Sequence, residues 1–191
     1  MHRKILIING HPRKDSFNFA LANNYKSGAE SSGAKVKVLN LIDLNFDRDK
    51  IAFDNNQTDE DIMIAQELIL WADHTVWVFP IWWYTMPALM KSFFEQTFLS
   101  GFAFKYLKSD KVVKWEKNLK GKTAHIIATL DAPPWYYIYW LGDPAGKTLR
   151  ASFDYCGIKL IKRTYFGSVK TSTENLRNNW LNKVQKIGER S

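Results

Sequence analysis

Five apolar segments of strand length alternate along the chain with segments of helical periodicity, and this alternation limits the possible folds. The predicted strands are residues 4–9, 35–41, 75–80, 123–129 and 158–166. The predicted helices are residues 16–32, 60–72, 87–99, 144–156 and 174–187. Alternation of this kind is typical of a parallel sheet, because parallel neighbours need a crossover connection. The third strand is almost wholly apolar and is therefore predicted to be central.

This element order predicts an α/β fold, a flavodoxin-like doubly wound sheet of five parallel strands with helices on both faces. A chain of 191 residues, 46% of them hydrophobic, can build one full-sized core. We see no repeat and no linker composition, so residues 1–191 are assigned to a single domain. In such folds ligands bind beyond the carboxyl ends of the strands, where we expect the loops after the first, third and fourth strands to converge.

Other classes of protein fit the composition less well. No apolar stretch approaches the roughly 20 residues that span a bilayer, and the N-terminus leads into a strand rather than into a signal-type segment. Cys156 is the only cysteine, which excludes an intrachain disulfide and a multi-cysteine metal site. We therefore expect a cytoplasmic protein with no metal site, in which Cys156 is a packed thiol.

The net charge of +8 raises the question of a nucleic-acid partner. Five lysines recur at every third position among apolar residues, namely Lys108, Lys111, Lys114, Lys117 and Lys120. This spacing favours the solvated edge of a short helix or loop, so we expect no nucleic-acid partner. A positive field can also steer an anionic small molecule to its pocket, and the sequence does not separate steering from solubility.

The loop after the first strand has the features of a phosphate-binding site. Pro12 lacks a backbone donor and Gly10 permits a sharp reversal, so the strand is predicted to end there. Asp15 or Ser16 is the expected N-cap of the next helix, whose free N–H groups and positive dipole end attract an anion. An ordinary capped strand-turn-helix explains the same stretch equally well.

The loops after the third and fourth strands are rich in aromatic residues, whereas loops are usually polar. Their rings are Trp82, Trp83 and Tyr84 in the first of these loops and Trp135, Tyr136 and Tyr137 in the second. Large rings in loops usually mark a ligand groove or an interface. A flat heteroaromatic cofactor with a phosphate tail would satisfy all three loops, and burial in the core or in a dimer interface is the alternative.

Several short motifs along the chain belong together. They are Gly10-His11-Pro12, Ser16-Phe17-Asn18, Phe79-Pro80-Ile81-Trp82-Trp83-Tyr84, Met86-Pro87-Ala88-Leu89-Met90-Lys91, Phe94-Glu95, Gly101-Phe102-Ala103-Phe104 and Phe153-Asp154-Tyr155-Cys156-Gly157-Ile158. In this combination the chain resembles the NAD(P)H:quinone oxidoreductase family of flavodoxin-like flavoproteins over nearly its whole length. The most specific parts are the Ser-Phe-Asn helix start and the Phe-Pro-x-x-Trp-Tyr loop that leads into Pro-Ala-x-x-Lys.

The resemblance implies a bound flavin, FMN or alternatively FAD, with NAD(P)H as the electron donor. The residues that would hold the phosphate-bearing tail are His11, Ser16, Phe17 and Asn18. Those that would line the isoalloxazine are Pro80, Ile81, Trp82, Trp83 and Tyr84. Those that would close its pyrimidine side are Thr129, Leu130 and Asp131.

The third loop departs from the family pattern. The better-known quinone reductases carry a glycine-rich run there, followed by a tyrosine and a histidine that assist hydride transfer. In this chain the run is Leu130-Asp131-Ala132-Pro133-Pro134, Tyr136 stands at the tyrosine spacing, and the histidine position falls near Gly142. We predict that Tyr136 assists hydride transfer, and a dimer-packing ridge over residues 133–136 is the alternative. Asp15 also departs from the pattern, since a carboxylate repels a phosphate unless it caps the helix or pairs with Arg13 or Lys14.

The resemblance implies an enzyme that transfers a hydride from NAD(P)H through the flavin to a quinone or similar electrophile, in two steps at one site. It also implies a homodimer, because relatives complete the active site across a two-fold interface. An ancillary subunit of the same fold, which docks a partner such as an ion-efflux system, is the alternative. An electron-carrying flavodoxin fits less well, since those proteins are typically acidic and this chain is basic.

Overall fold

The computed structural model describes residues 2–49, 59–108 and 112–191 of the chain. The strands are β1 (Lys4–Asn9), β2 (Lys35–Asn40), β3 (His74–Pro80), β4 (Phe104–Leu107), β5 (Lys114–Lys117), β6 (Thr123–Thr129) and β7 (Lys159–Phe166). The helices are α1 (Phe17–Ser31), α2 (Glu60–Trp71), α3 (Ala88–Thr97), α4 (Pro144–Cys156) and α5 (Glu174–Gly188). A 3₁₀ turn covers Leu41–Asp43 and a π-helical turn covers Tyr136–Trp140.

Five strands pair in parallel in the order β2-β1-β3-β6-β7. This is the predicted doubly wound sheet, and β3 lies at its centre with every residue buried. All the predicted strands of this sheet and all the predicted helices are present, with their ends displaced by no more than about two residues, as is usual for element boundaries. The predicted fold class is confirmed.

Alternate residues of the central strands supply two layers of core. In β1, Ile5 and Ile7 belong to the core shared with α1 and α5, whereas Leu6 and Ile8 belong to the core shared with α2, α3 and α4. Because both faces of the sheet are covered, a ligand can approach its backbone only at the ends of the strands.

Helix α1, which starts at the end of β1, is held by close packing against α5. A Cβ added to Gly28 would lie 2.0 Å from the carbonyl oxygen of Gln185, and one added to Gly188 would lie 2.3 Å from that of Tyr25. The two helix backbones therefore approach each other closely at two positions, at each of which one helix has a glycine. This contact fixes the helix whose first turn enters the candidate site.

The lysine-rich segment forms a β-hairpin, not the short helix or loop that the lysine spacing predicts. Strands β4 and β5 pair antiparallel, with Phe104 opposite Lys117. One face of the hairpin packs on Tyr155, whose ring stacks on that of Trp115 at 4.6 Å and meets Phe104 at 5.0 Å. Aromatic residues at alternate positions therefore favour strands in this segment, because alternate side chains of a strand lie on the same face. The prediction was wrong because it followed the three-residue spacing of the lysines. Lys111 lies outside the described residues.

Two further sequence expectations concern the described part of the chain. Cys156 is buried, and burial raises the pKa of its thiol to about 11, as expected for a packed cysteine. Within residues 2–49, 59–108 and 112–191, no helix has the length and apolar character needed to cross a membrane.

Two histidines are buried in the sheet. The Nδ1 of His74 lies 2.7 Å from the hydroxyl of Thr123, and the Nε2 of His125 lies 2.9 Å from that of Thr164. Burial, together with the charge of Arg3, lowers the pKa of His74 to about 4. Burial, together with His74 and Lys162, lowers the pKa of His125 to about 3. Both imidazoles are therefore neutral in the folded protein near neutral pH.

We expect the free energy of unfolding to fall as the pH drops below the ordinary histidine pKa of about 6.5. In that range the unfolded chain binds protons at His74 and His125 that the folded protein does not bind. Each histidine therefore lowers the free energy of unfolding by roughly 2 to 3 kcal/mol by about pH 4.5. Urea unfolding as a function of pH measures this loss. The double variant His74→Gln/His125→Gln should lose less stability over the same range, and an unchanged slope would assign the acid sensitivity to other groups.

Candidate flavin site

A cleft of about 200 Å³ opens at the carboxyl ends of β1, β3 and β6. Its lining residues are His11, Arg13, Ser16, Phe17, Asn18, Pro80, Ile81, Trp82, Thr129, Leu130, Asp131 and Val169. Ten of the twelve residues predicted to bind a cofactor are among them. The register of the sheet brings them together, because Asn9 pairs with Val78 and Pro80 pairs with Thr129 at one edge.

The sequence predicted that Gly10 would allow a sharp reversal of the chain. In the structure, Gly10 instead serves close packing. Its N–H donates to the carbonyl oxygen of Val78 at 2.8 Å, which continues the sheet by one residue. Its φ is not positive, whereas a Cβ at this position would lie 2.9 Å from the sulfur of Met90. The small residue is needed because α3 passes directly over it.

The chain turns after Gly10 through contacts between side chains and the backbone. Asn9 Oδ1 accepts the N–H of His11 at 3.2 Å, and His11 Nδ1 accepts the N–H of Arg13 at 3.0 Å. Since Nδ1 is an acceptor, the proton of the neutral ring resides on Nε2, which can donate to a ligand. Burial, and secondarily the charge of Arg13, lowers the pKa of His11. His11 is therefore an uncharged donor in the wall of the cleft.

The first turn of α1 presents buried polar atoms without partners. Ser16 is the N-cap, one of the two predicted candidates, but its side chain makes no capping hydrogen bond. Among the described residues, Ser16 Oγ and Asn18 Nδ2 have no hydrogen-bond partner, although the two residues are only 6% and 2% exposed. The hydroxyl of Thr129 donates to Asn18 Oδ1 at 3.0 Å and so orients the amide. Unpaired buried polar groups are costly, and this pair at a helix N-terminus indicates a site for an anion.

The carboxylate of Asp15 does not lie in this anion site. Its carboxylate pairs with Arg13 at 2.9 Å, and both side chains are well exposed. This is one of the arrangements that the sequence predicted would relieve repulsion of a phosphate. The neighbouring Lys14 pairs with Asp43 instead, at 2.5 Å.

The β3–α3 connection contributes its backbone and one ring to the cleft. Trp82 and Thr85 exchange both backbone hydrogen bonds at 3.0 Å, and Trp83 and Tyr84 between them have φ of 48° and 67°. Trp82 lines the cleft and meets His11 edge to face at 5.6 Å. The side chains of Trp83, which is 92% exposed, and of Tyr84 lie outside the lining. The structure therefore does not bring these two predicted rings into the site.

The β6–α4 loop is tied to the loop after β7. Leu130 accepts the N–H of Val169 at 3.0 Å, and the carboxylate of Asp131 accepts that of Lys170 at 3.1 Å. These bonds bring Val169 into the lining of the cleft, where the sequence analysis did not place it. The signal was available, because the loop after the last strand leaves from the same edge of the sheet. Arg13, two residues after His11, also lines the cleft and was not predicted from the sequence.

Tyr136, the predicted catalytic residue, lies outside the cleft lining. It belongs to the π-helical turn, is 37% exposed, and meets Trp135 edge to face at 6.0 Å. The next residue, Tyr137, is fully buried and connects the β6–α4 loop to the Trp82–Thr85 turn. Spacing alone did not distinguish these two neighbouring tyrosines.

The chemistry of the cleft follows from these groups. The unpaired polar atoms of Ser16 and Asn18 at the N-terminus of α1 favour an anion. Pro80, Ile81, Trp82 and Leu130 add apolar surface to the lining, which is suited to a flat ring. Among the described residues, no three His, Cys, Asp or Glu side chains are grouped in a way that could hold a metal ion.

Comparison with known proteins agrees with this geometry. A family model described as flavodoxin-like fold matches residues 3–187. The chain belongs to this family.

Among curated relatives, this flavodoxin-like protein is 28% identical over 180 residues to an uncharacterized NAD(P)H oxidoreductase of Haemophilus influenzae, covering 90% of this chain and 87% of the relative. It also matches mammalian proteins named NAD(P)H dehydrogenase [quinone] 1, from Cavia porcellus and Rattus norvegicus. The chain spans about half the length of these two, 46% of each. The predicted resemblance to the NAD(P)H:quinone oxidoreductase family is confirmed.

Solved structures show the same architecture. Smu.1420 from Streptococcus mutans UA159 superposes with a TM-score of 0.79 at 30% identity, covering 98% of this chain and 100% of that one. An FMN-dependent NADH-azoreductase from Bacillus anthracis, solved in complex with FMN, superposes with a TM-score of 0.67 at 18% identity and covers 98% of both chains. At this lower identity the likeness shows the shared fold.

We expect His11 to be neutral at pH 7 with its proton on Nε2, because Nδ1 accepts the Arg13 N–H and burial disfavours the charged ring. Nitrogen-15 NMR of the imidazole distinguishes the tautomers and gives the titration midpoint, which should lie below the ordinary value. Arg13→Gln should raise that midpoint, since it removes a nearby cation. A protonated Nδ1 at pH 7 would contradict the geometry of this loop.

Proposed function

We propose that this protein is an NAD(P)H-dependent flavoprotein oxidoreductase that reduces quinones or similar electrophiles in two steps at one site. The observation that carries the proposal is the pair of buried, unpaired polar atoms at the start of α1 beside an apolar wall. This combination suits a cofactor with a phosphate at one end and a flat ring at the other. The names of the relatives, which are NAD(P)H and quinone oxidoreductases, support the same assignment.

FMN is the flavin we propose, with FAD as the alternative. The Bacillus anthracis structure of the same fold was solved in complex with FMN, which supports the choice of this flavin. Ser16, Asn18 and His11 would donate hydrogen bonds to the phosphate, and Arg13 would add a positive charge. Thr129 would keep the Asn18 amide oriented. These donors need no reorganisation on binding, because the fold already holds them in place.

When bound, a flavin would supply the chemistry of two-electron transfer from NAD(P)H to an acceptor. The protein has to orient the ring, keep one side of it accessible and stabilise the charge that develops. We propose that the apolar wall around Ile81 and Leu130 orients the ring. We further propose that the partly exposed hydroxyl of Tyr136 donates a hydrogen bond to the developing charge.

A homodimer is part of the proposal. Seven aromatic residues of the two connections are exposed, and the most exposed of them are Trp83, Trp135, Tyr139 and Trp140. Apolar surface of this extent is usually covered, and a second copy of the chain would cover it beside the cleft. The same rings favour the second candidate function, an ancillary subunit that docks a partner protein.

We expect Asn18→Asp to raise the Kd for FMN by about tenfold or more, because a buried carboxylate would repel the phosphate. Isothermal titration with FMN and with riboflavin, which lacks the phosphate, measures the effect. The wild type should prefer FMN, and the variant should lose most of that preference.

The matched control is Asn23→Asp, the same substitution at an exposed position of the same helix. Its Kd for FMN should stay within about twofold of the wild type. If the wild-type protein binds neither FMN nor FAD, the proposed function is wrong. An equal effect of both substitutions on the Kd would mean that a negative charge anywhere on the helix weakens FMN binding, and that Asn18 has no specific role.

We expect Tyr136→Phe to slow reduction of the bound flavin by NADPH about tenfold or more while leaving flavin affinity nearly unchanged, since the hydroxyl acts on charge present only during transfer. Stopped-flow absorbance measures the rate. Tyr139→Phe, an exposed tyrosine of the same π-helical turn, is the control and should react at the wild-type rate. A wild-type rate in Tyr136→Phe would assign Tyr136 to packing.

A further inference from the structure

The turn from Trp82 to Thr85 has a backbone conformation that its own sequence does not favour. Both central residues, Trp83 and Tyr84, have positive φ, and the ends are closed by two backbone hydrogen bonds. Turns of this kind normally place Gly or Asn at the central positions, because a Cβ in the left-handed region crowds the next carbonyl oxygen. Something outside the turn has to hold it.

The hydroxyl of Tyr137 makes the contact that holds the turn. It donates to the carbonyl oxygen of Tyr84 at 2.8 Å and accepts the N–H of Ala145 at 2.9 Å. Ala145 is the second residue of α4, where backbone N–H groups have no acceptor within the helix. Because the Ala145 N–H occupies one lone pair of the Tyr137 oxygen, the single phenolic proton of Tyr137 is directed to the carbonyl oxygen of Tyr84. The side chain is buried, so water does not compete for either bond.

The start of α4 is itself anchored to the sheet. Asp143 caps α4 by accepting the N–H of Gly146 at 3.1 Å, accepts the hydroxyl of Tyr165 at 2.6 Å, and pairs with Arg163. Asp143 is 3% exposed, and Arg163 and Tyr165 both belong to β7. The strand therefore fixes the helix start, and the helix start fixes the hydroxyl of Tyr137.

We propose that Tyr137 is a positioning residue of the candidate flavin site, whose hydroxyl holds the Trp82–Thr85 turn in the left-handed conformation that places Trp82 in the wall of the cleft. The inference rests on the proposed function only for its effect on flavin binding. The conformation of the turn is a property of the protein without ligand. Burial also raises the pKa of Tyr137 to about 12, so the hydroxyl keeps its proton at physiological pH.

The first test measures the turn without any flavin. Tyr137→Phe keeps the buried ring and removes the hydroxyl, so the Thr85 amide, which closes the turn on Trp82, should lose protection. We expect its hydrogen exchange, followed by NMR on the ligand-free protein, to be about tenfold faster or more. Exchange at the wild-type rate would overturn the proposal.

Tyr165→Phe is the matched control. It also removes one tyrosine hydroxyl from the same network, but that hydroxyl bonds to Asp143 and not to the turn, and Asp143 keeps its contacts with Gly146 and Arg163 in this variant. Thr85 should exchange within about twofold of the wild-type rate in this variant. Equal acceleration in both variants would mean that the network is loosened as a whole, and it would contradict a specific role for Tyr137.

A second variant tests the left-handed backbone directly. Glycine adopts a positive φ without a steric cost, so Tyr84→Gly in the Tyr137→Phe background should restore most of the Thr85 protection, to within about threefold of the wild type. If Tyr137→Phe alone is too unstable to purify, this double variant is the protein to measure. A double variant that fails to fold, or that leaves Thr85 unprotected, would overturn the proposal.

The flavin is added last. With FMN as the probe, Tyr137→Phe should raise the Kd about fivefold or more and change the visible circular dichroism of the bound flavin, whereas Tyr165→Phe should do neither. A wild-type protein that binds no FMN would refute the proposed function and leave the Thr85 result intact. Faster Thr85 exchange together with an unchanged Kd would refute the link between the turn and flavin binding.

Discussion

The in-register parallel pairing of β1, β3 and β6 is the constraint on which the candidate site depends. Since α-helices cover both faces of the sheet, polar groups that need a ligand can gather only at the strand ends. The register places the ends of these strands beside one another, because Asn9 pairs with Val78, and Pro80, the last residue of β3, pairs with Thr129. Three loops that are far apart in sequence therefore share one cleft.

The cleft carries local costs that the rest of the fold offsets. Ser16 and Asn18 each have a buried polar atom without a hydrogen-bond partner, and each such atom destabilises the fold by about 1 to 3 kcal/mol. Trp83 and Tyr84 hold positive φ, at about 1 to 2 kcal/mol each. Such costs persist only where surrounding structure over-determines the conformation. The tight contact of α1 with α5 and the hydrogen bonds of Tyr137 supply that support.

The sequence predicted the fold well because the period of apolar residues and the element order are local properties of the chain. It predicted most of the cleft as well, since a loop that follows a parallel strand must leave at the carboxyl edge. It misjudged the hairpin β4–β5, in which the rings of Phe104 and Trp115 pack on Tyr155 while Lys105 and Lys114 are exposed. It also gave the wrong reason for Gly10, which is small because Met90 passes over it.

By itself, then, the sequence determined the five-stranded doubly wound sheet, the position of the cleft and the polar residues at the start of α1. Only the tertiary structure decided which side chains of the aromatic connections enter the cleft. Trp82 lines it, Trp83 extends into solvent, and Tyr137 rather than Tyr136 is buried. Neighbouring residues in a turn point in different directions according to backbone φ. In the Trp82–Thr85 turn, the carbonyl oxygen of Tyr84 accepts a hydrogen bond from Tyr137, which lies 53 positions away, and no local pattern records that contact.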